Sequence, residues 1–302
     1  MDAKLNAIIE SMHDEMIDTL QKWIRVPSVK GKAAPGAPFG KEVRSMLDMA
    51  LADCEQMGFK TQNFDGYIAH ADLGEGSDED ALAILAHLDV VPEGDGWKYP
   101  PYGAVIENGR MYGRGTSDDK GPGVAALFAM KAIMNAGIPL RRRCRLILGC
   151  DEECGMQDLV YYDRKIGLPE RGFSPDANFP LCNGEKGIYH GRMISKLPMV
   201  NVVDIKGGFA ANAVPDKAEA WVKAEALESA GRVEAVKEGE LWHLTATGVG
   251  GHASLPEGTV NAIGVLVDYI LDNGIAAAEE KRFYELVSLL NNDWTGAALN
   301  VA

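Results

Sequence analysis

Three short segments carry side chains whose types and spacing suit metal chemistry: His87-Leu-Asp89, Gly115-Thr-Ser-Asp118-Asp119-Lys120-Gly121 and Asp151-Glu152-Glu153. Residues two apart on a strand project to the same side, so His87 and Asp89 can meet each other or a common group. In the productive version His87 ligates a metal through one ring nitrogen while Asp89 accepts the proton on the other. A hydrogen-bonded histidine at a strand end is the plain alternative. In a glycine-rich turn before a helix, free backbone N–H groups and the helix dipole favour negative charge. Asp118 there suits either a helix cap or a carboxylate shared by two metals about 3.5–4 Å apart. The segment has no GxxxxGK[ST] pattern, so it is not a phosphate loop of that kind. Adjacent glutamates after a strand point in different directions, so one can bind metal while its neighbour serves a water as general base. Asp176, in Phe173-Ser-Pro-Asp-Ala-Asn-Phe-Pro180, adds a carboxylate after a short apolar strand. Sites in parallel sheets form outside the carboxyl ends of strands, which is where this residue falls.

The elements that must position these groups follow from periodicity. Residues 3–25 keep apolar side chains at helical spacing and predict one long first helix, ending before Val26-Pro27. Arg44 to Met57 repeats the pattern and stops at Gly58; Tyr67 to Leu73 and Ala81 to Ala86 then read as strands. Gly121 to Ala136 predicts a helix and Arg143 to Cys150 a strand leading into the acidic cluster. Helix and strand in alternation mean an α/β layer, and near-continuous apolar strands a sheet covered on both faces. After Gly187 the strands alternate, as in Lys217-Ala-Glu-Ala-Trp-Val and Leu241-Trp-His-Leu-Thr-Ala-Thr, which suits an antiparallel sheet with one wet face. A boundary near residue 188 divides the chain into 1–188 and 189–302.

With 302 residues, 46% of them hydrophobic, the chain can bury a substantial core. Thirty Lys+Arg against 44 Asp+Glu give a formal net charge of −14, which repels nucleic acid and anionic lipid and favours a divalent cation as partner. The acidic amphipathic N-terminus is not of signal-peptide type, and no run reaches the roughly 18 apolar residues of a membrane span, so a cytoplasmic location is expected. Five cysteines without CxxC pairs predict neither a disulfide framework nor a thiolate zinc site; small buried hydrophobes are the expectation.

Taken together, HLDVVPEGDGW, YGRGTSDDKGP, DEE and FSPDANFP resemble the co-catalytic zinc aminoacylase/carboxypeptidase/dipeptidase family, and within it the dipeptidase V (carnosinase-like) branch. The resemblance runs through the whole chain. It implies an α/β catalytic domain with a central, mostly parallel sheet flanked by helices, and an inserted α+β lid domain that is incomplete here. It implies that His87 and Asp176 hold one metal and Glu153 the other, that Asp118 bridges them, that Asp89 orients His87 and that Glu152 is the general base. Two Zn²⁺ per full-length chain are implied, with Mn²⁺ or Co²⁺ as alternatives. In Gly250-Gly-His-Ala-Ser, His252 is similar to the family's lid histidine, which stabilises an oxyanion, and Asn212 in Phe209-Ala-Ala-Asn-Ala-Val-Pro to a lid residue touching the substrate carbonyl. The implied activity is hydrolysis of dipeptides by metal-activated water, in a monomer or homodimer. An N-acyl-amino-acid deacylase or carboxypeptidase is the alternative within enzymes, and a noncatalytic metal- or peptide-binding remnant the alternative outside them. The family's final histidine ligand and its carboxylate-gripping arginine segment have no counterpart here. The expectation is therefore a truncated chain that binds at most one metal well and lacks peptidase activity by itself.

Overall fold

The apolar spacing of the first 25 residues yields two helices rather than one, α1 (Asp2–Ser11) and α2 (His13–Ile24). The Ser11 hydroxyl donates to the Ile8 carbonyl at 2.7 Å, and the turn closes through Met12 N–H to Ile9 O at 3.0 Å. A serine that bonds back to the preceding turn competes with the regular ladder, which is why the helix breaks at Met12. The computed structural model describes residues 2–94, 96–178, 180–184, 191–295 and 297. The chain separates into two compact units, Met1–Lys186 and Gly187–Ala302; the boundary expected near residue 188 falls outside the described residues.

In the first unit, α3 (Lys41–Gln56), α4 (Lys120–Asn135) and α5 (Gln157–Ile166) accompany the strands β1 (Lys60–Phe64), β2 (Ile68–Leu73), β3 (Leu82–His87), β4 (Val105–Glu107), β5 (Arg110–Tyr112), β6 (Cys144–Gly149) and β7 (Arg171–Phe173). Five of these strands form one sheet in the order β1-β2-β6-β3-β7. β3 lies between β6 and β7 with parallel pairing to both, whereas β2 pairs antiparallel with β1 and β6. The sheet is thus mixed, not mostly parallel in its pairings: β1 and β2 are joined by a short turn at Asp65-Gly66, and such a turn enforces antiparallel neighbours. The short strand expected before Asp176 is β7, which lies at the edge of the sheet and is exposed along its length.

Strand alternation sends Ile84, Ala86, Leu146 and Leu148 to one face, where they pack with Trp23, Met46, Leu47, Leu127 and Phe128. Ala83 and Ile147 turn to the other face and meet Phe64, Ile68 and Tyr162 of α5, with Leu85 and Leu159 packed alongside. Full burial of each large side chain contributes about 1.5–3 kcal/mol. Both faces are covered, as continuous apolar strands require. Of the five cysteines, Cys54, Cys144 and Cys150 are buried and Cys154 and Cys182 exposed. No helix among the described residues is long and apolar enough to cross a membrane.

The α5 face also holds buried polar groups at the end of β6 away from its carboxyl terminus. Arg145 donates to both oxygens of Asp72 at 2.7 and 2.8 Å, and His70 Nδ1 lies 2.7 Å from the Tyr162 hydroxyl. Burial, reinforced by the Arg145 charge, depresses the His70 imidazole from 6.5 to about 4. Above pH 6.5 His70 is neutral in both folded and unfolded chains and contributes nothing to pH dependence. Between pH 6.5 and 4 the unfolded chain takes up a proton that the folded one refuses, so stability falls, by about 3 kcal/mol in all. Denaturant titration of the metal-free protein at pH 7 and pH 4 should show wild type losing about that much more stability than His70→Gln. Equal losses would rule this out.

In the second unit, β8 (Val202–Gly207), β10 (Lys217–Val222), β11 (Val233–Glu238) and β12 (Leu241–Thr247) form an antiparallel sheet in the order β11-β12-β10-β8, while β9 (Ala213–Val214) pairs separately with β13 (Gly251–His252). Ala218, Ala220, Val222, Leu244 and Ala246 face inward onto α6 (Ala262–Asp272) and α7 (Ala278–Asn292). The opposite face is polar; Trp221 stacks on His243 there, with ring centroids 4.4 Å apart.

Candidate metal centre

The carboxyl ends of β3 and β6 lie side by side, because His87 pairs with Gly149 in the parallel register. Beyond β3 the chain stays pinned: Leu88 N–H donates to Gly149 O at 2.9 Å, Ser28 Oγ donates to Leu88 O at 2.6 Å and Val90 N–H donates to Ser28 O at 3.1 Å. This fixes His87, which is buried, and Asp89, which is only 1% exposed.

The imidazole stands at the middle of the cluster. Its Nε2 lies 2.9 Å from Asp118 Oδ1, 3.5 Å from Asp176 Oδ2 and 3.8 Å from Glu152 Oε2. Its Nδ1 lies 3.0 Å from the main-chain oxygen of Asp89 and 3.4 Å from the carboxylate Oδ1 of the same residue. The ring is thus steered by Asp89 chiefly through its carbonyl. The Asp89 carboxylate has a further task, accepting the Glu152 and Glu153 backbone N–H groups at 3.2 Å each and so clamping the short 3₁₀ turn Glu152–Cys154. Burial alone would depress the His87 imidazole, but Asp118, Asp176 and Asp89 outweigh it and hold the ring well above its usual range.

Asp118 does not cap α4. The residue in the cap position is Asp119, and it makes no side-chain cap hydrogen bond; instead its Oδ2 accepts the His87 backbone N–H at 3.0 Å. The peptide bond between the two aspartates is cis. Lys120 is wholly buried and donates to Trp23 O at 3.1 Å and Val26 O at 2.8 Å, tying the start of α4 to the end of α2. Gly115 has φ +89°, and a Cβ on Gly121 would lie 2.0 Å from Thr116 O, so both glycines of this loop are sterically required.

Burial, with Asp118 added, pushes the Glu153 carboxyl up to about 7 and burial also raises that of Glu152. His87, Glu152 and Glu153 offer ligand atoms within 4.8 Å of one another, and so do His87, Asp118 and Asp176. Atoms sharing one ion at 2.0–2.2 Å sit about 3–4 Å apart, so this N/O donor set fits a divalent ion such as zinc. All five predicted ligand and base residues of the first unit are therefore brought together, and among the described residues His87 is the sole histidine in either group. Position alone does not separate the two glutamates.

Of the residues expected in the second unit, His252 lies on β13 opposite Ala213, and Asn212 O accepts the Ala253 N–H at 2.8 Å, which makes Asn212 and His252 neighbours. The His252 Nδ1 accepts the Ser254 backbone N–H at 3.2 Å and lies 2.6 Å from its hydroxyl. In the neutral ring the proton then sits on Nε2.

Sequence reasoning missed Asp119, Lys120 and Asp158. Asp158 accepts the N–H groups of Cys150 and Asp151 at 2.5 and 3.1 Å and that of Leu159 at 2.8 Å, locking the end of β6 to the start of α5. An acid in the first turn of a helix was the available signal. Asp119 and Lys120 stood inside the quoted motif, but which backbone groups they would hold depends on distant segments.

The model for peptidase family M20/M25/M40 matches residues 83–283. The chain belongs to this family. "Putative dipeptidase YtjP" of Bacillus subtilis (strain 168) is 36% identical over 97% of the chain and 67% of the relative. "Putative dipeptidase SAUSA300_1697" of Staphylococcus aureus (strain USA300) is 35% identical over 71% of the chain and 47% of the relative. The chain thus spans from about half to two thirds of the length of these M20 relatives. Human carnosine dipeptidase 1 is similar over 54% of this chain and 38% of its own, at 26% identity and a TM-score of 0.47.

Proposed function

We propose that this chain is the metal-holding portion of an M20 metallopeptidase that hydrolyses the peptide bond of dipeptides. The observation that carries it is the convergence of Asp118, Asp176 and Glu152 oxygens within 3.8 Å of His87 Nε2, in a chain whose relatives are named dipeptidases. His87 and Asp176 would hold one ion, Glu153 the other, and Asp118 both. Zinc is the proposed metal, with Mn²⁺ or Co²⁺ the alternatives. Two such ions supply polarisation of the scissile carbonyl and a water acidic enough to react near neutral pH. Glu152, whose carboxyl burial raises above the usual range, would be the general base, accepting the attacking water's proton and returning it to the departing amine. Asp89 holds His87 and the Glu152-Glu153 turn in one geometry.

Within the proposed catalytic and lid division at residue 188, His252, whose Nε2–H is a donor, and Asn212 are the second unit's candidate groups for an oxyanion and a substrate carbonyl. Five free cysteines agree with a reducing, cytoplasmic setting. Calorimetric titration of zinc into the metal-free chain should show tight binding, and His87→Ala or Asp118→Asn should weaken it at least about 10-fold. Zinc affinity unchanged by both substitutions would sink the reading. In a polypeptide of the Bacillus relative's full length, dipeptide hydrolysis should stop on chelation.

A further inference from the structure

A cavity of about 150 Å³ adjoins the cluster, and its walls are of two kinds. His87, Glu152 and Asp176 line it together with Leu85, Met156 and Leu159. Leu85 precedes His87 by two positions on β3, so both side chains leave the same face. Leu85 and Leu159 also pack against the apolar cluster of Phe64, Ile68, Ala83, Ile147 and Tyr162, which makes that wall firm. Met156 closes the cavity differently. It is a non-glycine residue in the left-handed region (φ +54°, ψ +34°) at the start of α5, with 41% of its surface exposed. The conformation is held by its N–H donating to Asp151 O at 2.7 Å. An L-residue adopts it at a cost of order 1 kcal/mol, and such costs collect at binding sites.

Resting on the peptidase reading above, we infer that this cavity is the specificity pocket for the dipeptide residue whose carbonyl is attacked, and that Met156 sets its preference for an aliphatic side chain. That side chain is attached one bond from the carbon at the metals, so it is the substituent that reaches a cavity lined by the metal-facing residues themselves. A protein cavity of this volume with apolar walls takes a group the size of a benzene ring, which admits Leu, Ile, Val or Met. Methionine, unbranched and polarisable, suits a wall that must adapt to several aliphatic shapes.

The test uses zinc-loaded chain labelled with ¹³C at the methionine methyls, the Met156 signal being identified by its loss in Met156→Ala. Leu-Gly should move that signal and bind about 10-fold more tightly than Gly-Gly, the ratio expected for burying an aliphatic side chain. Met156→Ala should cut the ratio to about 2-fold, and Met156→Trp, which fills the space, should abolish it, with zinc stoichiometry reporting that both variants keep the cluster. An unmoved Met156 signal, equal binding of Leu-Gly and Gly-Gly, or tighter binding of Gly-Leu or Lys-Gly would overturn the pocket while leaving the peptidase reading intact. A chain that binds zinc but none of these dipeptides overturns the pocket alone, whereas one that takes up zinc at no site overturns both.

Discussion

Glu152→Gln should lower kcat for dipeptide hydrolysis by about two to four orders of magnitude in a polypeptide of the Bacillus relative's length, with metal content near normal. The amide keeps the size of the carboxylate and cannot take a proton from water. Glu153→Gln should act on the metal instead, since an amide oxygen is a weaker and uncharged donor. The two glutamates share a turn clamped by the Asp89 carboxylate, so neither substitution should displace the other. Metal analysis and turnover measured on the same preparations separate the roles. Near-normal kcat in Glu152→Gln would remove it as the base; full metal occupancy in Glu153→Gln would remove it as a ligand.

Arg145→Leu should destabilise the first unit by about 3–5 kcal/mol, the usual effect of stripping one partner from a buried ion pair. Arg145 is 1% exposed and engages both oxygens of Asp72 as well as Asp78 Oδ1 at 2.6 Å. Its loss leaves the Asp72 carboxylate inside the protein, with Arg143 Nη1 at 3.4 Å as the nearest remaining cation. A fall in melting temperature of about 10 °C is the corresponding thermal result. The double variant Asp72→Leu/Arg145→Leu should recover most of the loss, because the stranded charge is gone. Destabilisation below about 1 kcal/mol in the single variant would show that Asp72 is solvated and that this ion pair is peripheral.

The sequence by itself determined the element types and the set of donor residues. Both are local properties: apolar spacing of about 3.6 or 2 residues is written within each segment, and His87, Asp118, Glu152, Glu153 and Asp176 stand in short motifs whose glycines and strand ends restrict where their side chains can be. Local signals failed where a neighbour in space was the deciding partner. The helix break at Met12 turned on a serine that bonds back to Ile8, and the mixed pairing of the sheet on the turn joining β1 to β2. Asp119 became the holder of the His87 backbone and Lys120 the anchor of α2 only once segments up to 97 residues apart had met. Asp89 shows the division within one residue. Its place beside His87 follows from strand geometry, but its carboxylate's grip on the 152–153 turn exists because β3 and β6 are adjacent and parallel, and pairing between strands separated by more than fifty residues is a property of the packed sheet that no window of sequence contains.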